Sequence, residues 1–571
     1  SADIAFLSKQ PSTRSTSELP ACSSISCAMG HGLSCGCLAG LTGTERRRRL
    51  CTNSLRRSMQ EVHKSQSRST LLNMTLQRNP HRDIRHSYDT TGCELIGQGA
   101  MGLVHKTAFK ASGCECAVKQ ISKETQTVIA ELQVLLELDH PHVIRLYEWF
   151  EDSKSVYLVT ELATGGDLSS RFPCEQPEAV RLFNQLMGAV RYCHDRGVVH
   201  RDLKAGNCLL TGKTEPIVKV IDFGLAAIRK PRDTPGRWLE QTVGTRSHMA
   251  PEVLDPRKSY GVRCDIWSAG IILHHLLVGK HPFPERCGSD HSCPTAMMEE
   301  AGIVPEAQEL VLSMLQHSPD ERPSAEEVQR HRWLAGQHGG EQDLDERRFQ
   351  RILEWVRAWS KTFSGPWQLE RALATAVAQQ LPEDEIAGIR RSFKAIDLAG
   401  SGMLSKAAIG DAYRRCGFAL DENELSAIFA ALNCNDSGLV AYTRWLSAAL
   451  APDVLASDRY VKAAFGFFDL NGSGLVSDVE LQKFLGEAIA EDAMERWDSN
   501  GDRKLSLREF KQMMLRLAAE KAKSQATTSP TTPEALCQGL SMSPCSDGSP
   551  YPDGARSPSV SPCAPWEEAR Q

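Results

Sequence analysis

Four loop starts recur through the C-terminal third of this 571-residue chain: Asp397, Asn433 and Asp469 lie 36 residues apart, and Asp498 follows 29 residues later. A fixed period of this size means a repeated supersecondary unit. Each start opens a twelve-residue loop between apolar-periodic segments, so residues 385–518 read as four helix–loop–helix units. Such loops suit calcium, a hard cation that takes about six to eight oxygens. They need oxygen at positions 1, 3, 5 and 9, a backbone carbonyl at 7, a tight turn at 6 and a bidentate Glu at 12. The third loop meets every requirement with Asp469, Asn471, Ser473, Gly474, Leu475, Ser477 and Glu480. The fourth offers Asp498, Asn500, Asp502, Lys504, Ser506 and Glu509, but Arg503 stands where the turn wants glycine. A non-glycine residue at positive φ costs on the order of 1 kcal/mol, and tenfold in affinity is about 1.4 kcal/mol, so that loop is weakened and not abolished. The first loop has Ala399 at position 3 and Ala408 at position 12. The second has Asn433, Asn435, Ser437 and Gly438 but places Arg444 at position 12. Two bound calcium ions are expected, with the first two units serving as packing scaffold.

Composition adds limits. At 41% hydrophobic and 24% charged residues the chain is ordinary for a globular protein, and no run reaches the roughly 20 apolar residues of a membrane-spanning helix. The nineteen cysteines show no framework spacing and read as mostly free thiols of a reducing cytosol. Residues 1–87 hold thirteen Lys or Arg against five Asp or Glu and lack periodicity; they read as a disordered basic segment. The Ser- and Pro-dense residues 519–571 read as a disordered tail. Residues 334–384 form a connector in which Phe349, Ile352, Leu353, Val356 and Trp359 make an apolar stripe at helical spacing. Met29-Gly30-His31-Gly32-Leu33-Ser34 matches the N-myristoylation pattern if translation starts at Met29. Cys35, Cys37 and Arg46–Arg49 would supply the second anchoring signal that one acyl chain needs. The location expected is cytoplasmic, with membrane association if Gly30 is acylated.

Residues 88–333 change from short β-type runs to longer helical patterns, and carry an ordered set of motifs. Gly97, Gly99 and Gly102, with Val104 following, let a hairpin backbone lie close over nucleotide phosphates. Lys119, in Ala117-Val118-Lys119, is spaced to reach the α- and β-phosphates, and Glu131 on the next helical segment is its partner. Val199-His200-Arg201-Asp202-Leu203-Lys204-Ala205-Gly206-Asn207 supplies Asp202 to orient the acceptor hydroxyl, Lys204 to steady the transferring group and Asn207 to hold magnesium. Asp222-Phe223-Gly224 brings the second magnesium ligand, and Ala250-Pro251-Glu252 closes the segment that follows. His81-Arg82-Asp83 lacks the residues that must follow such a tripeptide and is a chance match.

These motifs resemble the eukaryotic protein kinase family, and Lys204 with Gly244-Thr245 resembles its Ser/Thr subgroup. The resemblance implies an α+β bilobal kinase domain, followed here by an all-α EF-hand (calmodulin-like) domain. It implies Thr160 as gatekeeper before hinge residues Glu161 and Leu162, Asp167 near ribose or a substrate arginine, a central buried helix from Asp265, and a structural pair between Arg322 and Glu252. Two departures stand out: Ala205-Gly206 replaces the usual Pro-Glu, and His248 replaces a common Tyr. The shortened stretch 284–305 departs as well. A preference for basic residues near the acceptor would rest on Asp167. Thr234 and Thr242 are candidate activation-segment phosphoacceptors for Arg201. The order kinase, connector, four units is similar to the calcium-dependent protein kinases over residues 88–518. That likeness implies ATP, Mg2+ and Ca2+ as cofactors, protein substrates and autoinhibition. In it, a junction helix blocks the substrate cleft at rest until the calcium-loaded sensor grips its apolar face. A core helix of the sensor is the alternative reading of residues 345–381. The function expected is calcium-activated Ser/Thr phosphotransfer by a monomer, with no nucleic acid bound. The rivals are a calcium-responsive scaffold and a constitutive kinase whose sensor only localises it.

Overall fold

A computed structural model describes residues 83–99, 102–125, 127–211, 216–230, 233, 236–283, 292–335, 345–362, 368–398, 400–432 and 438–526. The acylation motif, Thr234, Ala399, and Asn433, Asn435 and Ser437 of the second loop lie outside them.

The first lobe is a five-stranded antiparallel sheet in the order β1-β2-β3-β5-β4, from β1 (Glu94–Gly99), β2 (Gly102–Ala108), β3 (Glu115–Ser122), β4 (Leu146–Glu151) and β5 (Ser155–Thr160). The buried strand residues Ile121, Trp149, Val156 and Leu158 face a core shared with the lobe's one long helix, spanning Thr127–Glu137. The second lobe is helical. Its central segment Arg263–Val278 is buried without a break from Cys264 to His274, as expected of a helix surrounded by protein. It packs against the helix Gln176–Asp195 and against Pro305–Met314.

Beyond Arg332–Ala335 the chain forms a second unit, helical apart from four three-residue strands among the described residues. The connector divides into α1 (Glu346–Thr362) and α2 (Gln368–Gln380), and α3 (Glu383–Ile396) enters the first loop. Phe349, Ile352, Leu353, Val356 and Trp359 of α1 are buried in one core with Tyr413, Trp445, Phe468 and Met514. The amphipathic stripe is thus held by the repeat units themselves. Among the described residues, the side-chain hydrogen-bond partners of Lys119, Asp202, Asn207 and Asp222 all lie within residues 119–245, and none comes from the connector. The loop pairs join through two short antiparallel ladders, Met403–Ser405 with Leu439–Ala441 and Leu475–Ser477 with Lys504–Ser506.

Two segment ends differ from expectation. Ile84–Ser87, inside the stretch read as disordered, is a helical turn capped by the Asp83 side chain. It leads into Tyr88, which is buried against Phe109 and Phe150. The last helix, α4 (Leu507–Ala526), runs eight residues into the expected tail. Buried Lys521 tethers it by donating to the Ala448 carbonyl oxygen at 2.7 Å. Among the described residues no helix is long and apolar enough to cross a membrane, and the described cysteines, Cys93 and Cys264 among them, are free.

Candidate active site and calcium loops

The glycine hairpin forms as its spacing demands: Gly99 pairs with Gly102 and Gly97 with Val104 across β1 and β2. Gly102 sits at φ 150°, and a Cβ there would meet the Gln120 backbone, so a side chain is excluded. Register then places Lys119 opposite Val104. Its ammonium donates to both oxygens of Glu131, at 2.6 and 2.8 Å, and to Asp222 Oδ1 at 2.8 Å. Burial works against the charge, but Glu131 and Asp222 hold Lys119 above its ordinary range.

The catalytic loop is fixed from below by Asp265, whose carboxylate accepts from the backbone N–H of His200 and of Arg201, both at 2.9 Å, and pairs with His194 at 3.0 Å. Arg201 and Asp222 both hold positive φ (67° and 62°), a strained geometry that the surrounding bonds maintain. Phe223 is fully buried with its ring 4.9 Å from that of His200. Asp202 accepts from Lys204 Nζ at 2.9 Å, Thr245 Oγ1 at 2.6 Å and Asn207 Nδ2 at 3.0 Å. Burial would raise its pKa, yet the bonds from Thr245 and Lys204 keep it below the ordinary carboxylate range. The group is therefore ionised at neutral pH and poised to orient a hydroxyl. Because the Asn207 amide nitrogen is spent on Asp202 and Asp222 Oδ1 on Lys119, Asn207 Oδ1 and Asp222 Oδ2 are left as hard acceptors. Such oxygens fit Mg2+. Arg322 and Glu252 pair through two 2.7 Å bonds in the core, a structural role.

The other expected positions are placed as follows. Thr160 ends β5, and its hydroxyl donates to the Glu161 carbonyl at 3.2 Å. Leu162 follows it, half-buried. The Glu161 N–H is used on the Arg145 carbonyl at 3.0 Å, and its carboxylate is buried against Arg145 and Lys219 rather than free for a nucleotide. Asp167 Oδ1 caps a short 3-10 turn through Ser169 N–H at 2.9 Å. The Thr242 hydroxyl donates to the Val253 carbonyl, and Arg201 Nε donates to the Leu225 carbonyl.

In the third loop the Asp469 carboxylate accepts from Ser473 and Gly474 N–H at 3.0 and 2.8 Å, and Asn471 Oδ1 from Ser473 N–H. Glu480 reaches back to Leu470 and Asn471 N–H, and with Ser477 forms a capping box that starts the exit helix. The fourth loop repeats this: Asp498 accepts from Gly501 and Arg503 N–H, Asp502 Oδ1 accepts from Lys504 N–H, and Asn500 Oδ1 accepts from Asp502 N–H. Glu509 accepts from Ser499 and Ser506, bonds that lower its pKa to about 2. Arg503 does adopt φ 57° and its Nε reaches Asp478 at 2.9 Å. Both loops thus offer a preformed, all-oxygen donor set of the kind calcium takes.

Sequence reasoning passed over the roles of Asp265, Thr245 and Lys219. Asp265 was visible only as part of an apolar helix. Thr245 bonds Asp202 from 43 residues away, and Lys219, at 2% exposure, bridges Glu161 (3.1 Å) and Glu383 (3.3 Å) between the two units. The signal for Lys219 was one lysine inside an otherwise apolar Ile217–Val220 strand.

Comparison with known proteins gives two family matches. Residues 91–334 match the protein kinase domain and residues 461–485, around the Asp469 loop, match the EF hand. The chain is 32% identical over 451 residues to calcium-dependent protein kinase 7 of Oryza sativa subsp. japonica, covering 73% of this chain and 80% of the relative. It is 30% identical over 445 residues to calcium-dependent protein kinase 5 of Plasmodium falciparum (73% and 76%) and 32% over 447 residues to calcium-dependent protein kinase 12 of Arabidopsis thaliana (74% and 88%). With its phosphotransfer residues assembled and two loops of calcium geometry on one chain, this protein belongs to the calcium-dependent protein kinase family.

Proposed function

We propose that the chain transfers the γ-phosphoryl group of ATP to serine or threonine hydroxyls of protein substrates, and that calcium at the Asp469 and Asp498 loops turns this on. The observation that carries the reading is the triangle of Asp202, Lys204 and Thr245, closed by bonds of 2.6–2.9 Å. Asp202 accepts the hydrogen bond of the acceptor hydroxyl and aligns it. Lys204 places positive charge where the transferring group becomes most anionic. Lys119, oriented by Glu131, holds the nucleotide phosphates. Mg2+ held by Asn207 and Asp222 would neutralise phosphate charge. Phosphoamino-acid analysis of a labelled protein substrate tests the acceptor class: phosphoserine and phosphothreonine are expected, and phosphotyrosine as the main product refutes it.

Two contacts support a route from metal to catalysis. The helix Asp458–Phe468, which leads into the Asp469 loop, packs Ala463 beside Phe109 of the sheet lobe, and its Arg459 Nε donates to the Ser112 carbonyl at 2.9 Å. At the hinge, Lys219 joins Glu161 to Glu383 at the start of α3. Calcium loading stabilises this arrangement, in which α1 is held by the sensor. Without calcium α1 is released to obstruct the substrate cleft. An acylated Gly30 backed by Cys35, Cys37 and Arg46–Arg49 would add membrane association; an unmodified peptide spanning residues 28–30 in mass spectra of the native protein would refute it.

A further inference from the structure

The turn between the Thr127–Glu137 helix and β4 carries two histidines, His140 and His142, both buried where the kinase domain meets the sensor. The His140 ring lies 4.8 Å from that of Tyr192, and its Cδ2–Nε2 edge is pressed on the first loop. A Cβ added to Gly402 would lie 2.2 Å from His140 Cδ2, 2.8 Å from Tyr192 Cδ2 and 3.0 Å from His140 Nε2. His140 Nδ1 accepts from the His142 N–H at 3.1 Å, so the neutral ring carries its proton on Nε2. In His142 the arrangement is reversed. Its Nδ1 donates to the Val218 carbonyl oxygen at 3.0 Å, and its buried Nε2 has no hydrogen-bond partner among the described residues. A second proton would break the Nδ1 bond of His140, and on His142 it would create a buried N–H with no acceptor.

The surroundings give such a charge no relief. Lys219 comes from the Ile217–Val220 strand, Arg196 from the end of the helix Gln176–Asp195, and Arg390 and Lys394 from α3 of the sensor. After burial itself, these cations oppose protonation of one ring or both. The neighbouring carboxylates are committed elsewhere. Asp139 accepts from Thr443 N–H at 3.0 Å and from Thr443 Oγ1 at 2.6 Å. Asp397 accepts from the N–H groups of Ser401 and Gly402 at 3.0 and 2.6 Å, and Glu383 is shared by Lys219 and Arg390. Arg390, Lys394 and the Gly402 backbone all belong to the sensor, so lifting the sensor away removes repulsion and cover together.

We infer that His140 and His142 form a proton-sensitive latch between the kinase domain and the calcium sensor: the docked arrangement needs both rings neutral, so acid releases the sensor that calcium seats. The latch rests on the reading that calcium stabilises the docked arrangement. Both rings titrate well below 6.5 when docked and return towards 6.5 on release. Docking is therefore at full strength well above pH 6.5 and weakens as pH falls through it. Each ring lowers the docking equilibrium about fivefold between pH 6.5 and 5.5, and the pair about 30-fold.

Hydrogen exchange of the full chain at saturating calcium tests it, because the Thr443 N–H is donated across the interface to Asp139. After correction for intrinsic exchange, protection of a peptide covering 440–446 should fall about 30-fold from pH 6.5 to 5.5, while 469–480 and 498–509 keep theirs. His142→Asn cannot titrate and keeps a donor for the Val218 carbonyl; it should cut that fall to about fivefold. Protection of 440–446 that stays within about twofold in the native chain overturns the inference, even where the variant does not fold. So does a fall as large in His142→Asn as in the native chain, or a parallel loss in 469–480, which would trace the effect to calcium release. Chelator at neutral pH tests the calcium reading separately. Protection of 440–446 retained in chelator counts against calcium seating the sensor, and the acid response still decides the latch.

Discussion

Replacing Lys219 with methionine removes a buried cation that two acidic groups share. Its Nζ lies 3.1 Å from Glu161 Oε1 and 3.3 Å from Glu383 Oε2, and the residue is 2% exposed. Deleting one partner of a buried ion pair costs about 3–5 kcal/mol, because the remaining charge is left desolvated. Here both carboxylates keep other partners. Glu161 still accepts from Arg145 N–H at 2.9 Å, and Glu383 from Arg390 Nε at 2.7 Å. The loss therefore falls near the lower bound, about 3 kcal/mol, or roughly 6–12 °C in Tm for a domain of this size. Burial would raise the Glu383 pKa, and Lys219, Arg390 and Arg145 together keep it lowered; Lys219→Met gives up the first of these. Glu383→Gln in the Lys219→Met background removes one stranded charge and should recover about 1 kcal/mol or more, a coupling that a double-mutant cycle detects. Because Glu161 follows Thr160 at the end of β5, beside the proposed nucleotide site, KM for ATP should rise in Lys219→Met. Thermal and urea unfolding of the four proteins measure the cycle. A Tm change under about 2 °C, or strictly additive single effects, refutes the idea that this lysine couples the sensor to the hinge.

Other perturbations give equally definite outcomes. Arg503→Gly relieves the φ 57° backbone of the fourth loop and should tighten its calcium binding a few-fold by titration calorimetry; unchanged or weaker binding contradicts the account of that loop. Glu252→Gln strands the fully buried Arg322 guanidinium and should cost about 3–5 kcal/mol in urea unfolding, with a loss under about 1 kcal/mol contradicting the pair's structural role. His140 and His142 are buried, and burial followed by nearby cations (Arg196, Lys219 and Lys394 for His140; Lys394, Arg390 and Lys219 for His142) holds both well below the ordinary value of 6.5. Their native forms are neutral, so the stability they confer is complete above pH 6.5 and declines below it as the unfolded chain takes up protons. The two together should cost about 2 kcal/mol between pH 6.5 and 5.5, and no loss of stability over that interval would show that they are not buried neutral.

Most of the phosphotransfer site was legible because its residues are chemically obligatory and sit in short, ordered segments. Lys119, Asp202, Asn207 and Asp222 could each be named from a tripeptide and its spacing. The third and fourth loops were legible for the same reason, down to the positive φ required of Arg503. What escaped was whatever depends on distant parts of the chain meeting. The Asp202–Thr245 bond and the anchoring of His200 and Arg201 by Asp265 have no local signature, and the lone lysine of the Ile217–Val220 strand marks Lys219 without naming its partners Glu161 and Glu383. The apolar stripe of α1 was visible, yet a stripe says only that something covers it. Packing with Tyr413, Trp445 and Phe468 shows that the sensor does. Likewise, alanine at positions 3 and 12 announced that the first loop had lost its metal, but only the approach of Tyr192 to Gly402 shows what the loop gained.

The central claim is that phosphotransfer by this chain follows calcium through the Asp469 and Asp498 loops. Its most direct test is phosphorylation of a protein substrate by the full-length chain with saturating calcium and with excess chelator, run beside a Glu480→Gln/Glu509→Gln variant. The account predicts strong stimulation by calcium in the native chain, and chelator-level activity in the variant at every calcium concentration. Equal phosphorylation with calcium and with chelator in the native chain would contradict it.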